Sequence, residues 1–143
     1  MCIIIDANAI EDMNAPSEHG AVVLRWMLTG KGGMIIGGTI MKAELGRSTK
    51  MRAMLVTLSQ AGRLRRLDDT KIQARIDDLI HGGACHSDDP HVIAVVLESG
   101  CRLVFTRDTD LHRDLRNRDI VNPVASIYQN RTHRHLLTEC HCM

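Results

Sequence analysis

Asp6 and Asp108 each stand where an apolar run gives way to polar residues, with Asp110 two positions beyond the second, while Glu44 lies on a predicted helix and Asp89 opens another. Asp6 ends Cys2-Ile3-Ile4-Ile5, Glu44 follows Met34-Ile35-Ile36, Asp89 sits directly before Pro90, and Asp108 follows Leu103-Val104-Phe105. Carboxylates carried to one place repel each other, by roughly 4 kcal/mol for a pair about 4 Å apart at an effective dielectric near 20. A set of four stays ionised only with positive charge among them. Mg²⁺ or Mn²⁺ suits that role, because hard divalent cations take oxygen ligands and keep bound water. Such a water, deprotonated and aimed in line, is the nucleophile of phosphodiester hydrolysis.

Short, wholly apolar strands can bring these acids together. Cys2–Ile5, Met34–Ile36 and Arg102–Phe105 read as buried strands, Leu64–Leu67 as a short one, and Ile120-Val121 as a last one. Helices are predicted between them. One starts at Pro16-Ser17-Glu18, one runs from Thr39, as N-cap, through Leu45, and one spans about Thr49–Gln60. Others are capped by Asp68-Asp69-Thr70 and by Asp88-Asp89-Pro90, and a short one covers Leu111–Leu115. Buried strands alternating with helices predict an α/β fold with a central, mostly parallel sheet covered on both faces. In such sheets reactive groups collect beyond the carboxyl ends of the strands, where these acids fall.

At 143 residues the chain is expected to form a single domain, with an irregular tail from about residue 122. Trp26, Phe105 and Tyr128 are its only aromatics, so the core must be aliphatic and base stacking cannot be the main grip on a nucleic acid. Methionines such as Met51 and Met54 are assigned to core filling in preference to an association surface. No apolar stretch is long enough for a membrane span, and the start lacks the basic region of a signal peptide. The expected compartment is the cytoplasm. Five cysteines at irregular spacings imply no disulfide framework, and reduced thiols are the default. With 18 Lys and Arg against 17 acids, net charge does not point to a partner. Arg47 and Arg107, together with His91, are the candidates for substrate contact. Gly30–Gly38 lacks the Gly-Lys-Ser/Thr ending of a phosphate loop, and the tail cluster of His133, His135, Cys140, His141 and Cys142 matches no zinc spacing.

Four stretches, in order over roughly residues 1 to 121, resemble the PIN-domain family of ribonucleases. They are Ile3-Ile4-Ile5-Asp6-Ala7-Asn8, Thr39 through Glu44-Leu45, Ser87-Asp88-Asp89-Pro90-His91-Val92-Ile93-Ala94 and Leu103 through Leu111. The resemblance implies a three-layer α/β/α sandwich. It implies Mg²⁺ or Mn²⁺ held by Asp6, Glu44, Asp89 and Asp108, with Asp110 as a fifth acid, and RNA cleaved to 5′-phosphate and 3′-hydroxyl ends. Asn8, Thr39 and Thr106 match the polar residues that support the ligands. Relatives of this size are often toxins, which brings in an antitoxin partner and a homodimer. The family usually has a small residue after the third acid. Here Asp88-Asp89-Pro90 leaves the register between two acids, and Asp89 is favoured for its place before Pro90.

Each acid also has a purely structural reading: Asp6 as a strand-end cap, Glu44 as a solvated helix residue, Asp89 as an N-cap, Asp108 and Asp110 as a turn. Two other functions remain open. A haloacid-dehalogenase-like phosphohydrolase would use Asp6 as nucleophile, although it wants a second Asp where this chain has Asn8. A non-catalytic PIN-like module would bind RNA or a partner.

Overall fold

The computed structural model describes residues 1–14 and 17–139. Pro16, read as part of a helix start, and Cys140, His141 and Cys142 of the tail cluster lie outside the described residues.

Among the described residues five strands form one parallel sheet: β1 (Cys2–Ile5), β2 (Gly33–Ile36), β3 (Leu64–Arg66), β4 (Leu103–Phe105) and β5 (Ser126–Tyr128), in the order β3-β2-β1-β4-β5. Between β1 and β2 lie a 3-10 turn (Ala7–Ala9), α1 (Ile10–Asn14) and α2 (Glu18–Leu28); between β2 and β3 lie α3 (Thr39–Gly46) and α4 (Thr49–Gln60). Helices α5 (Asp69–Gly82) and α6 (Pro90–Ser99) lead to β4, and α7 (Thr109–Leu115) to β5. A second 3-10 turn (Arg131–His133) and α8 (Leu136–Glu139) follow, so the stretch expected to be irregular carries a strand and two helical turns.

The order of the strands decides where a site can form. The chain steps outward from β1 to β2 to β3, then returns past β1 to β4 and on to β5. Right-handed crossovers place the connections of the outward run on one face and those of the return on the other. The result is a three-layer α/β/α sandwich. The direction reverses between β1 and β4, and at such a switch point the connections beyond the carboxyl ends diverge to opposite faces and leave a crevice. Pairing of Ile4 with Val104 and Ile5 with Phe105 brings the two strand ends level, and the Asp6 amide donates to the Phe105 carbonyl at 3.0 Å.

The wholly apolar strands sit in the middle of the core: Ile3, Ile4, Ile5, Met34, Ile35, Val104 and Phe105 are inaccessible to solvent. Helix α6 lies against β1 and β2 and packs along α5, and its Val92–Val96 run is buried throughout. The core is largely aliphatic and takes Met51 and Met27, with Met54 packed at its margin. Phe105 and Tyr128 add an edge-to-face pair with ring centroids 4.9 Å apart.

Three expectations need correction. Ile120-Val121 is not a strand. It lies in turns after α7, before the cis Asn122–Pro123 bond, with Val121 filling the core from a loop. The last strand comes five residues later, at Ser126–Tyr128, paired with β4. Thr39 is not the cap of α3: Gly38 holds that position at φ +83°, and Thr39 is the first helical residue. Cys2 is disulfide-bonded, against the expectation of reduced thiols throughout, whereas Cys85 is a free thiol. Among the described residues no helix is long and apolar enough to cross a membrane.

Candidate active site

Asp6, Glu44 and His91 meet at the carboxyl end of β1, and the charges of Asp6, Glu44 and Asp108 act on Asp89. Asp6 is the first residue after β1, and its backbone turns at once into the 3-10 turn. Its carboxylate accepts from the Ala7 amide at 2.8 Å through Oδ1 and from the Thr106 hydroxyl at 2.8 Å through Oδ2. Only 3% of Asp6 is exposed, an unusual depth for an acid with no basic partner bonded to it among the described residues. Burial raises its pKa above 3.8, the Thr106 and Ala7 hydrogen bonds and His91 lower it, and Glu44 raises it again. Desolvation outweighs the two hydrogen bonds.

Glu44 reaches the crevice from α3, and His91 from the first turn of α6. One ligand atom each of Asp6, Glu44 and His91 lie within 4.8 Å of one another. The His91 ring is buried, with Nε2 3.3 Å from Glu44 Oε2 and Nδ1 4.0 Å from Asp89 Oδ1. Asp89 caps α6 by position alone, because its side chain makes no capping hydrogen bond. Its carboxyl instead turns toward the other acids: burial raises its pKa first, then the charge on Asp6, with His91 lowering it and Glu44 and Asp108 adding smaller upward contributions. Asp88 is exposed. Of the two candidates for the register, Asp89 is thus the acid that faces Asp6, Glu44 and Asp108.

Asp108 follows β4 on the far side of the crevice. It also does ordinary structural work, accepting through Oδ1 from the amides of Asp110 at 2.9 Å and Leu111 at 3.3 Å to start α7. Thr106 ties the two strand ends together. Besides its bond to Asp6 it reaches Asn8 Oδ1 at 3.3 Å and accepts from the Asp108 amide at 3.2 Å. Asn8 in turn accepts from the Arg107 amide at 3.1 Å.

Other residues singled out from the sequence sit differently. Asp110 is exposed in the first turn of α7 and is not part of the Asp6–Glu44–His91 group. Thr39 is exposed, and no hydrogen bond of its side chain to the acids is among those described. Arg107 turns its guanidinium to Asp12 Oδ1 at 2.5 Å, so it is not a counterion among the acids, although half of its side chain stays exposed. Arg47 lies at the end of α3 and lines a cavity of about 520 Å³ with Ala7, Glu44 and Ser48.

Two buried acids carry structure that sequence reading did not single out. Asp114, fully buried on α7, accepts the His86 amide through both oxygens (2.8 and 3.0 Å) and the Ser87 amide at 2.8 Å. It clamps the loop that presents Asp89. Asp12, 3% exposed, takes Arg107 and the Ser17 hydroxyl on Oδ1, while its Oδ2 has no hydrogen-bond partner among the described residues.

The donors fit a divalent cation. Two carboxylates and an imidazole, those of Asp6, Glu44 and His91, bring ligand atoms together, Asp6 is held largely desolvated, and Asp89 and Asp108 stand outside that group. Among the described residues no lysine or arginine acts on Asp6 or Asp89, and His91 is the one base beside them. A cation would remove the repulsion these contacts record.

No family model matches the sequence, and no curated protein matches it. Among solved structures, the chain is similar to VapBC2 from Rickettsia felis, described in complex with a DNA fragment from their promoter. The TM-score is 0.53 at 16% identity, and the match covers 90% of this chain and 100% of that one. At that identity the likeness speaks for the fold, and it agrees with the strand order and the crevice described above. The chain has a PIN-domain fold.

Proposed function

We propose that the chain is a single-domain metal-dependent endoribonuclease, with Asp6, Glu44, Asp89 and Asp108 holding Mg²⁺ or Mn²⁺ and cleaving RNA phosphodiester bonds by hydrolysis. One observation carries this reading. Asp6 and Glu44, from distant segments, bring ligand oxygens together with the His91 ring, Asp89 feels the charge of Asp6, Glu44 and Asp108, and no lysine or arginine among the described residues acts on Asp6 or Asp89. Among the described residues the Glu44 and Asp89 carboxylates have neither an amide nor an arginine bonded to them, unlike the structural acids Asp114 and Asp12.

When bound, such a cation supplies an activated water and charge to steady the leaving oxygen. The protein's own contribution is placement. Thr106 and the Ala7 amide fix both oxygens of Asp6, Asp114 fixes the loop before Asp89, and Thr106 links Asp6 to Asp108. Asp12 holds one nitrogen of Arg107 and leaves the rest of that half-exposed side chain beside the crevice for a phosphate. Arg47 lines a cavity together with Glu44. With three aromatics in the chain, all of them in the core, the grip on RNA rests on phosphate charge and weakens with salt.

The likeness to VapBC2 supports a toxin role with an antitoxin partner, and with it a homodimer and a cytoplasmic setting. The test compares RNA cleavage by wild type and Asp6→Asn, with Mn²⁺ and after chelation. Cleavage is expected only from wild type with metal, leaving 5′-phosphate ends. Equal cleavage by both proteins would refute the site.

A further inference from the structure

His91 occupies a place that a carboxylate-only metal centre does not require. It is the second residue of α6, and its side chain is 5% exposed, with both ring nitrogens turned to acids. A buried imidazole needs a defined partner on each nitrogen. Nδ1 faces Asp89 Oδ1 at 4.0 Å, and Nε2 faces Glu44 Oε2 at 3.3 Å on the side where Asp6 also lies.

These distances bear on what Nε2 does. Ligands about 2.1 Å from an ion stand roughly 3 Å apart when adjacent and roughly 4.2 Å apart when opposite. The 3.3 Å between His91 Nε2 and Glu44 Oε2 is close to an adjacent pair. The 4.8 Å that encloses all three donors exceeds the opposite spacing by about half an ångström, within reach of a small side-chain adjustment. Metal-binding imidazoles commonly turn their second nitrogen to a carboxylate, which fixes the tautomer and strengthens the donor. Asp89 stands on that side of the ring.

Resting on the metal-dependent reading above, we infer that His91 binds the cation directly through Nε2, making Asp6, Glu44 and His91 a mixed nitrogen–oxygen centre that favours Mn²⁺ over Mg²⁺. The physical reason is ligand softness: Mg²⁺ prefers hard oxygen and its own waters, whereas later divalent ions accept imidazole more readily. The rival role for His91 is a bare counterion that neutralises the acids until metal displaces it. The two roles oppose each other. Removing a ligand weakens metal binding, and removing a competing positive charge strengthens it.

The experiment is pulsed electron paramagnetic resonance on the full chain with one equivalent of Mn²⁺, read for ¹⁴N modulation of the electron spin echo. It is paired with Mn²⁺ and Mg²⁺ titrations of wild type, His91→Gln and Asp6→Asn. The expected result is ¹⁴N coupling in wild type and none in His91→Gln. Mn²⁺ binding by that variant should weaken about tenfold, with Mg²⁺ binding changed by less than about twofold. Labelling wild type with ¹⁵N-histidine must replace the ¹⁴N pattern, which identifies an imidazole donor even if the variant folds poorly. Mn²⁺ bound without nitrogen coupling, or tighter binding by His91→Gln, overturns this inference and leaves the carboxylate centre standing. Mn²⁺ taken up equally by wild type and Asp6→Asn overturns both.

Discussion

Replacing Asp6 by Asn should make the metal-free protein more stable and, at the same time, much less responsive to Mn²⁺. Asp6 and Glu44 place ligand oxygens within 4.8 Å of each other. Two ionised carboxylates at that separation repel by about 3.5 kcal/mol at an effective dielectric of 20. His91, 3.3 Å from Glu44, offsets part of this. The asparagine side chain would keep the bond from the Ala7 amide but turn the Thr106 contact from acceptor to donor, at a cost of about 1 kcal/mol. The net gain is about 2 kcal/mol, or a melting temperature higher by about 6 °C for a chain of this size. Wild type with Mn²⁺ at about a hundred times its Kd should gain about 2.7 kcal/mol, or about 8 °C. The variant should show less than half of that shift. Differential scanning fluorimetry with and without Mn²⁺, and with EDTA as reference, reads all four states. An Asp6→Asn protein that melts below metal-free wild type, with an undiminished Mn²⁺ shift, would refute the reasoning.

Other outcomes follow from the same contacts. Because Asp6 and Asp89 both have carboxyl pKa values raised above 3.8 by burial, the folded metal-free protein holds protons that the unfolded chain has lost. Their contribution to stability is therefore full below that value and is lost as pH rises through the raised pKa values. Denaturant midpoints of wild type minus Asp6→Asn should fall across that window, while Mn²⁺ affinity rises across it; a flat difference would contradict the burial argument. Asp114→Ala strips the His86 and Ser87 amides of their acceptor and should cost about 3 kcal/mol, with Asp114→Asn costing about half. Both should also weaken Mn²⁺ binding by loosening the loop before Asp89, and a titration showing stability loss alone would confine Asp114 to the fold. Arg47→Ala should weaken RNA binding evenly across sequences and reduce the salt slope of log K by about one, read by filter binding; an unchanged slope removes Arg47 from the interface.

The parts of this molecule that sequence reading reached are those whose signal is local. A strand such as Cys2–Ile5 is apolar at every position because both faces of the sheet are covered, and the acid after it marks the polar end. The acid before Pro90 works in the same way. The parts that were missed depend on contacts far apart in the chain. Asp114 holds amides 27 and 28 residues away, and Arg107 meets Asp12 across 95. Neither has a spacing that could have announced it. His91 read as a substrate contact because a histidine near a helix start is usually on the surface, and only the packing of α3 against α6 encloses it. The last strand was misplaced because a three-residue strand carries no periodicity, and Ile120-Val121 is as apolar as Ile127 and its neighbours. At Thr39 the error was one residue, where Gly38 at positive φ makes the turn that a side-chain cap was expected to make.

The central claim is that Asp6 and Glu44 share one cation in the crevice between β1 and β4. Anomalous diffraction from crystals grown with Mn²⁺, recorded on the high-energy side of the manganese edge, locates the ion without reference to activity. The account predicts a peak in the crevice between the ends of β1 and β4, bonded to Asp6 and Glu44 and absent in Asp6→Asn crystals. A peak elsewhere on the molecule, or none at saturating Mn²⁺, would contradict it.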